Sequence, residues 1–220
     1  MAFRRKVLVM PGSEDDLPAS EWEWMGSEDI RIVGSLMFAR KVSAERIIEA
    51  FGVDPATARL VPADGVSQVL SHPMWDEDHP WIRAGTFGDW GFALSLTDLD
   101  LTDRRDNMAR MLSPGTKVAV VAWTQTVDTF QFWEDGVMVT LFEPLLAFDR
   151  SGSEPDRFLP EMREAGLDTE RSDPREGAST VQEAEQSDPI ITVLEMLTRA
   201  LGIRLPAEVA LGPLLTVQRA

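Results

Sequence analysis

The chain has no cysteine among its 220 residues and only two histidines. Without cysteine there is no disulfide framework, no thiol nucleophile, no thiolate zinc site and no iron–sulfur cluster. Long apolar runs are missing too, since no window approaches the ~18 uninterrupted apolar residues that a membrane-spanning helix needs. Arg4, Arg5 and Lys6 precede Val7 to Met10, but Pro11-Gly12 ends that run well short of a signal-peptide core. The expectation is a cytoplasmic protein with no membrane partner. Cations are scarce: 21 Lys and Arg stand against 37 Asp and Glu, for a formal charge of -16. Affinity for the phosphate backbone comes largely from Lys and Arg releasing counterions, so nucleic acid is not an expected partner. The same negative field attracts a basic protein surface and speeds that encounter at low salt. No Gly-rich phosphate loop, Walker motif, GxSxG elbow or dinucleotide fingerprint is present, and no cofactor is expected.

What is present is organised around residues 117 to 142, KVAVVAWTQTVDTFQFWEDGVMVTLF, which read as three antiparallel strands in a row. Asp135-Gly136 is a two-residue turn signal whose preference for positive φ matches the twist of the flanking strands. A tight turn there sets Trp133 opposite Met138, Phe132 opposite Val139, Gln131 opposite Thr140 and Phe130 opposite Leu141. The phenylalanine face is then core, and the face of Gln131 and Trp133 is mixed and partly wet. Lys117 to Trp123 is apolar almost throughout, as suits a central strand covered on both sides.

A second hairpin spans Trp81 to Thr97 and turns at Gly88-Asp89, pairing Phe87 with Trp90, Gly85 with Phe92 and Arg83 with Leu94. Its aromatic residues share one face. Ile82, Ala84, Thr86, Gly91, Ala93 and Ser95 make the other, mostly small, face, which predicts close approach of a helix or another backbone. Ahead of it, Ile30, Ile32, Leu36 and Phe38 form one side of a strand. Ser43 then caps a helix with Ala44, Ile47, Ile48 and Phe51 as its buried stripe. A helix from Asp103 to Leu112, capped by Asp103, turns Met108, Met111 and Leu112 inward. Pro155 opens a further helix, Asp188-Pro189 opens a stronger one that Gly202 ends, and Pro213 to Val217 reads as an edge strand or a covering segment.

The expected architecture is α+β: an antiparallel sheet of five or six strands with helices packed on one face. Residues 1-29 read as an N-terminal leader and 30-217 as a single domain. Residues 168-178, charged and bearing Pro and Gly without apolar periodicity, read as a mobile acidic linker inside it.

Several spaced segments carry a resemblance: GTFGDWGFALS, SPGTKVAVVAW, FQFWEDGVMVTLFEP, PDRFLPEMREAGLD and LTRALGIRLPAEVALGPLLTV. Over roughly residues 30-217 the chain resembles an uncharacterised actinobacterial domain-of-unknown-function family of small acidic cytoplasmic proteins. The resemblance implies one α+β domain and brings no activity, substrate or catalytic residue. This chain adds a longer leader and a longer acidic linker.

Chemistry-bearing residues are few. His72 and His79 bracket HPMWDEDH, so two imidazoles and the carboxylates of Asp76, Glu77 and Asp78 fall in one loop, ligand types competent for zinc, manganese or iron, with His72, Asp76 and His79 the foremost candidates. Their spacing matches no established metal motif, and acidic loops are usually solvated. Asp98, Asp100 and Asp103 follow a strand, where paired carboxylates could serve a hydrolase but where turn and cap residues are ordinary. Trp22 and Trp24 alternate with glutamates and either dock on the body or form a partner-binding anchor. The reading preferred from the sequence is a non-enzymatic protein-binding protein, of the immunity or adaptor type, that recognises a basic or mixed protein surface. A metal-assisted or carboxylate-dependent hydrolase is the alternative, and a chaperone-like holder of a secreted or toxic partner a weaker one.

Overall fold

A computed structural model describes residues 21–26, 33–61, 81–95, 101–124, 126–170 and 188–218. Its strands are β1 (Gly34–Arg40), β2 (Arg59–Val61), β3 (Trp81–Phe87), β4 (Trp90–Ser95), β5 (Lys117–Trp123), β6 (Asp128–Glu134), β7 (Val137–Phe142) and β8 (Leu214–Gln218). Its helices are α1 (Ala44–Ala50), α2 (Leu101–Leu112), α3 (Leu159–Ala165), α4 (Pro189–Leu201) and α5 (Ala207–Ala210). The strands form one antiparallel sheet in the order β2-β8-β3-β4-β1-β5-β6-β7. Among the described residues no helix is long and apolar enough to cross a membrane.

The α+β class holds, but the sheet has eight strands rather than five or six. The difference lies at one edge, where β2 is only three residues long and too short to show alternation. The C-terminal β8, read as an edge strand or cover, instead lies between β2 and β3.

Helices on one face alone is also corrected. Successive side chains of a strand point to opposite faces, and the central strands are apolar on both. Leu36 and Phe38 of β1 join Ala119, Val121, Phe130 and Phe132 in one core, with Val193, Leu194 and Leu197 of α4 and Met162 of α3 over them. Met37 and Ala39 join Val118, Val120 and Trp133 in a second core under Ile47 and Ile48 of α1 and Met108, Ala109 and Leu112 of α2. A sheet apolar on both faces has to be covered on both, since each large side chain left in water forfeits about 1.5–3 kcal/mol.

The β3–β4 hairpin has the expected register, Phe87 with Trp90, Gly85 with Phe92 and Arg83 with Leu94. Its small face admits α1 as expected: a Cβ on Gly91 would sit 2.2 Å from the Val42 carbonyl oxygen and 3.0 Å from Ile47 Cδ1. Ser43 caps α1 by accepting from the Arg46 amide at 3.2 Å, and Asp188 caps α4 by accepting from Ile190 at 2.9 Å.

At the β6–β7 hairpin the turn is as read, with φ of 52° at Asp135 and 79° at Gly136, and Trp133 pairs with Met138. Beyond that pair a β-bulge shifts the register, so that Phe132 faces Thr140, Gln131 faces Leu141 and Phe130 faces Phe142. The irregular edge is closed by the segment after β7. Ser151 exchanges two 2.9 Å bonds with Leu141, and the Glu154 amide donates to Val139 at 2.9 Å. An edge twisted by a bulge and paired with a loop no longer offers a template to another chain.

α2 begins two residues before its expected start, which makes Asp103 its third residue rather than its cap. Met111 is 51% exposed. The buried stripe runs through Met108, Ala109 and Leu112, and position 111 lies off its centre at 100° per residue.

Candidate functional site

The sequence candidates separate at once. His72, Asp76, His79, Asp98 and Asp100 lie outside the described residues, as do residues 171 to 178 of the acidic segment. Among the described residues no three His, Cys, Asp or Glu side chains are grouped so as to hold a metal ion. Trp22 is 1% exposed and belongs to the α4-side core. Its indole donates to Thr198 Oγ1 at 3.1 Å, and its ring meets Phe38 edge-on at 6.1 Å. In this position Trp22 presents no surface to a partner. Trp24 is half-buried and packs against the same core, 6.2 Å from Trp22. The segment read as a leader therefore sends Trp22 and Met25 into the core of the domain that follows.

Three features remain. The first is a cleft of about 600 Å³ at the sheet end where β1 and β3 finish and β4 and β5 begin, against the C-terminus of α4. Phe87, Trp90 and Leu201 give it apolar walls, and Arg40, Lys117 and Arg204 give it charge. Each cation has an acid: Arg40 with Asp89 at 3.7 Å, Lys117 with Glu134 at 3.3 Å and Arg204 with Glu21 at 2.7 Å. Such exposed pairs are worth about 0–1 kcal/mol. Only Asp89 of these acids lines the cleft, and Glu134 is shared with Arg157 at 3.5 Å, so its cations are partly neutralised.

The second is Leu145 and Leu146, 61% and 44% exposed, on the 3-10 turn Pro144–Leu146 that follows β7. The turn is held firmly. Leu146 donates to the Glu143 carbonyl at 2.9 Å and Asp149 to that of Leu146 at 2.8 Å. Arg150 donates to Ala147 O at 2.6 Å, to Thr169 O at 3.1 Å and to Asp156 at 2.7 Å. Glu143 and Asp149 flank the leucines in sequence.

The third is Arg83, which sequence reasoning placed in the hairpin but not in the interior. It is 2% exposed, and Nη2 donates to Val61 O at 3.3 Å and to Gly212 O at 3.0 Å. Nε and Nη1 are buried without a hydrogen-bond partner. Burial pulls its pKa below the ordinary arginine value. The signal was its pairing opposite Leu94, on the same face as Gly85 and Phe92, where an alternating pattern calls for an apolar side chain.

Charge on the surface is only partly paired. Arg46, Arg150, Arg157, Arg163 and Arg199 are in ion pairs, while the exposed Lys41, Arg59 and Arg110 have no ionic partner among the described residues. Exposed acids such as Asp54, Asp149, Glu164, Asp168 and Glu208 have no ionic partner among the described residues. Glu45 is held below the ordinary glutamate pKa by the hydrogen bond from its own backbone N–H and, secondarily, by the Ser43 hydroxyl.

An eight-stranded antiparallel sheet clothed by helices on both faces defines an α+β domain. Residues 22–210 match the model of a family of unknown function (DUF6461), and the chain belongs to that family. No curated protein matches the chain, and no solved structure does.

Proposed function

We propose that the chain is a non-enzymatic binding protein, of the immunity or adaptor kind, that recognises a basic or mixed protein surface in the cytoplasm of an actinobacterium. The observation that carries this reading is the pair Leu145 and Leu146, two exposed apolar side chains on a turn braced by Arg150. Interfaces draw most of their affinity from a few apolar or aromatic anchors, and an anchor already ordered in the free protein loses little entropy on docking. Glu143 and Asp149, beside the leucines in sequence, supply a polar rim whose sign favours a cationic partner. The unpaired surface acids extend that field over the molecule.

The test is chemical cross-linking followed by affinity isolation from the native host, using the wild-type chain and the double variant Leu145→Asp, Leu146→Asp. A basic protein recovered with the wild type and lost with the variant supports the reading. A partner recovered equally with both would move the interface elsewhere. The metal-assisted form of the hydrolase alternative rests on His72, Asp76 and His79, and the carboxylate-dependent form on Asp98, Asp100 and Asp103. Stoichiometric zinc or manganese in protein purified without chelator, lost when both histidines become alanine, would displace the binding reading in its favour.

A further inference from the structure

On the α4 face, the last cross-strand row of the sheet differs from the row before it. Residues directly opposite one another in neighbouring strands share a face. The register sets Phe87 beside Trp90 and Trp90 beside Arg40; Lys117 follows one step beyond the Ala39–Val118 pair and stands opposite Glu134. One row inward on that face stand Phe92, Phe38, Ala119 and Phe132, all of them core. The change follows from the layer above. α4 ends at the left-handed cap Gly202, φ 66°, so only its last residues, with Arg204 and Pro206, face this row across the cleft of about 600 Å³ already described. That volume is within the ~300–1,000 Å³ common for small-molecule sites.

In the wall of the cleft three cations, Arg40, Lys117 and Arg204, meet one acid, Asp89. The Arg40–Asp89 contact of 3.7 Å is an ion pair too long for a hydrogen bond. Lys117 divides Glu134 with Arg157, at 3.3 and 3.5 Å. Both cations therefore keep donor capacity for a further acceptor, whereas Arg204 is held by Glu21 at 2.7 Å. The backbone beneath is fixed in advance: the Thr116 hydroxyl donates to the Arg40 carbonyl at 2.6 Å, and the Lys41 amide to the Asp89 carbonyl at 2.6 Å. Phe87 is anchored as well, edge-on to Phe38 and Phe92.

We propose that this cleft binds a small aromatic monocarboxylate, its carboxylate between Arg40 and Lys117 and its ring against Phe87, Trp90 and Leu201. A guanidinium fork beside an ammonium is a strong receptor for one carboxylate. The apolar walls give a ring the contact area that a bare anion lacks. The orientation is set by α4, whose C-terminus carries partial negative charge and so keeps the carboxylate on the β1–β5 side. Asp89 and the formal charge of -16 oppose a second negative charge, which favours a monoanion over phosphate or a polyanion. The protein-binding reading does not depend on this site.

Calorimetric titration of the full chain at fixed ionic strength tests it, with benzoate, phenylacetate and indole-3-acetate as probes, and with benzamide, benzylamine, acetate and phosphate for comparison. At least one aromatic carboxylate is expected to bind saturably, and roughly tenfold or more tightly than any comparison compound. Arg40→Met with Lys117→Met, which removes both charges and keeps the side-chain stems, should weaken that binding roughly tenfold or more. Asp89→Asn, at a side chain 62% exposed, should strengthen it, because Arg40 is then released to the ligand. A gain of affinity is a result that loss of folding cannot imitate, so this variant gives a readout even if the double variant does not fold. Absence of saturable binding by every aromatic carboxylate overturns the proposal, as does equal or tighter binding of benzamide or phosphate. Affinity unchanged in both the double variant and Asp89→Asn overturns it too.

Discussion

Gln131 shows how far a single side chain can depart from what its neighbours in sequence suggest. The alternation of the β6–β7 hairpin puts it on a face that reads as partly wet, yet it is 4% exposed. Its amide donates to Asp106 on α2 at 2.8 Å, and its carbonyl oxygen accepts from the Trp133 indole at 3.2 Å. Arg110 of the same helix lies 5.6 Å over the Trp133 ring. The charged partner, Asp106, comes from a helix 25 residues away in sequence, which no local pattern announces. Gln131→Ala should therefore cost roughly 1–3 kcal/mol, because it strands the indole N–H in the interior and removes a bond to a charged acceptor. Phe132→Ala should cost about 3–5 kcal/mol, since its ring is fully buried and stands edge-on to Phe158 at 4.9 Å. Urea midpoints of the two variants check both figures. A negligible loss at Gln131 would mean that its face is wet after all.

At the scale of elements, the features legible in the sequence were those fixed within a few residues. The Asp135-Gly136 turn, the register of β3 with β4, the Ser43 cap, the helix start at Asp188-Pro189 and the small face that admits α1 all depend on local chemistry, and all appear as read. The β7 bulge, the interior place of β8 and the second helical layer depend on partners distant in sequence, and these were missed. Gly91→Ala probes the local kind: its new methyl would meet the Val42 carbonyl, and a loss of roughly 1–3 kcal/mol or more in denaturant stability is expected. An unchanged midpoint would mean that α1 stands further from the sheet. The N-terminus of α1 carries a pH signature. Glu45 is hydrogen-bonded as the carboxylate, so its folded pKa is lowered; the associated stabilisation is present above the ordinary glutamate value and is lost as pH falls through the lowered one. Carbon-detected NMR titration should find Glu45 below the ordinary glutamate range and shifted upward in Ser43→Ala. An identical value in both proteins would remove the hydroxyl from that explanation.

Across the whole molecule, the segment around Trp22 is tied to the body by burial, by the bond to Thr198 and by the Glu21–Arg204 pair. Trp22→Ala should cost about 3–5 kcal/mol in global stability, whereas a residue serving only as an external anchor would leave the unfolding midpoint in place. The candidate site was less legible than the fold. Charge could be counted from composition, but the exposed leucines follow a strand whose own apolar residues read as core, and the buried Arg83 stands in a strand where only the partner strands reveal its surroundings. The binding reading rests on two separable terms, a long-range field from the acids and a short-range anchor at Leu145 and Leu146. The measurement that tests it most directly is the association rate with the isolated partner as a function of salt. Screening shortens from about 10 Å at 0.1 M to about 3 Å at 1 M, so the rate should fall steeply over that range, while Leu145→Asp with Leu146→Asp should act mainly by raising the dissociation rate. An association rate that does not change with salt would contradict the account.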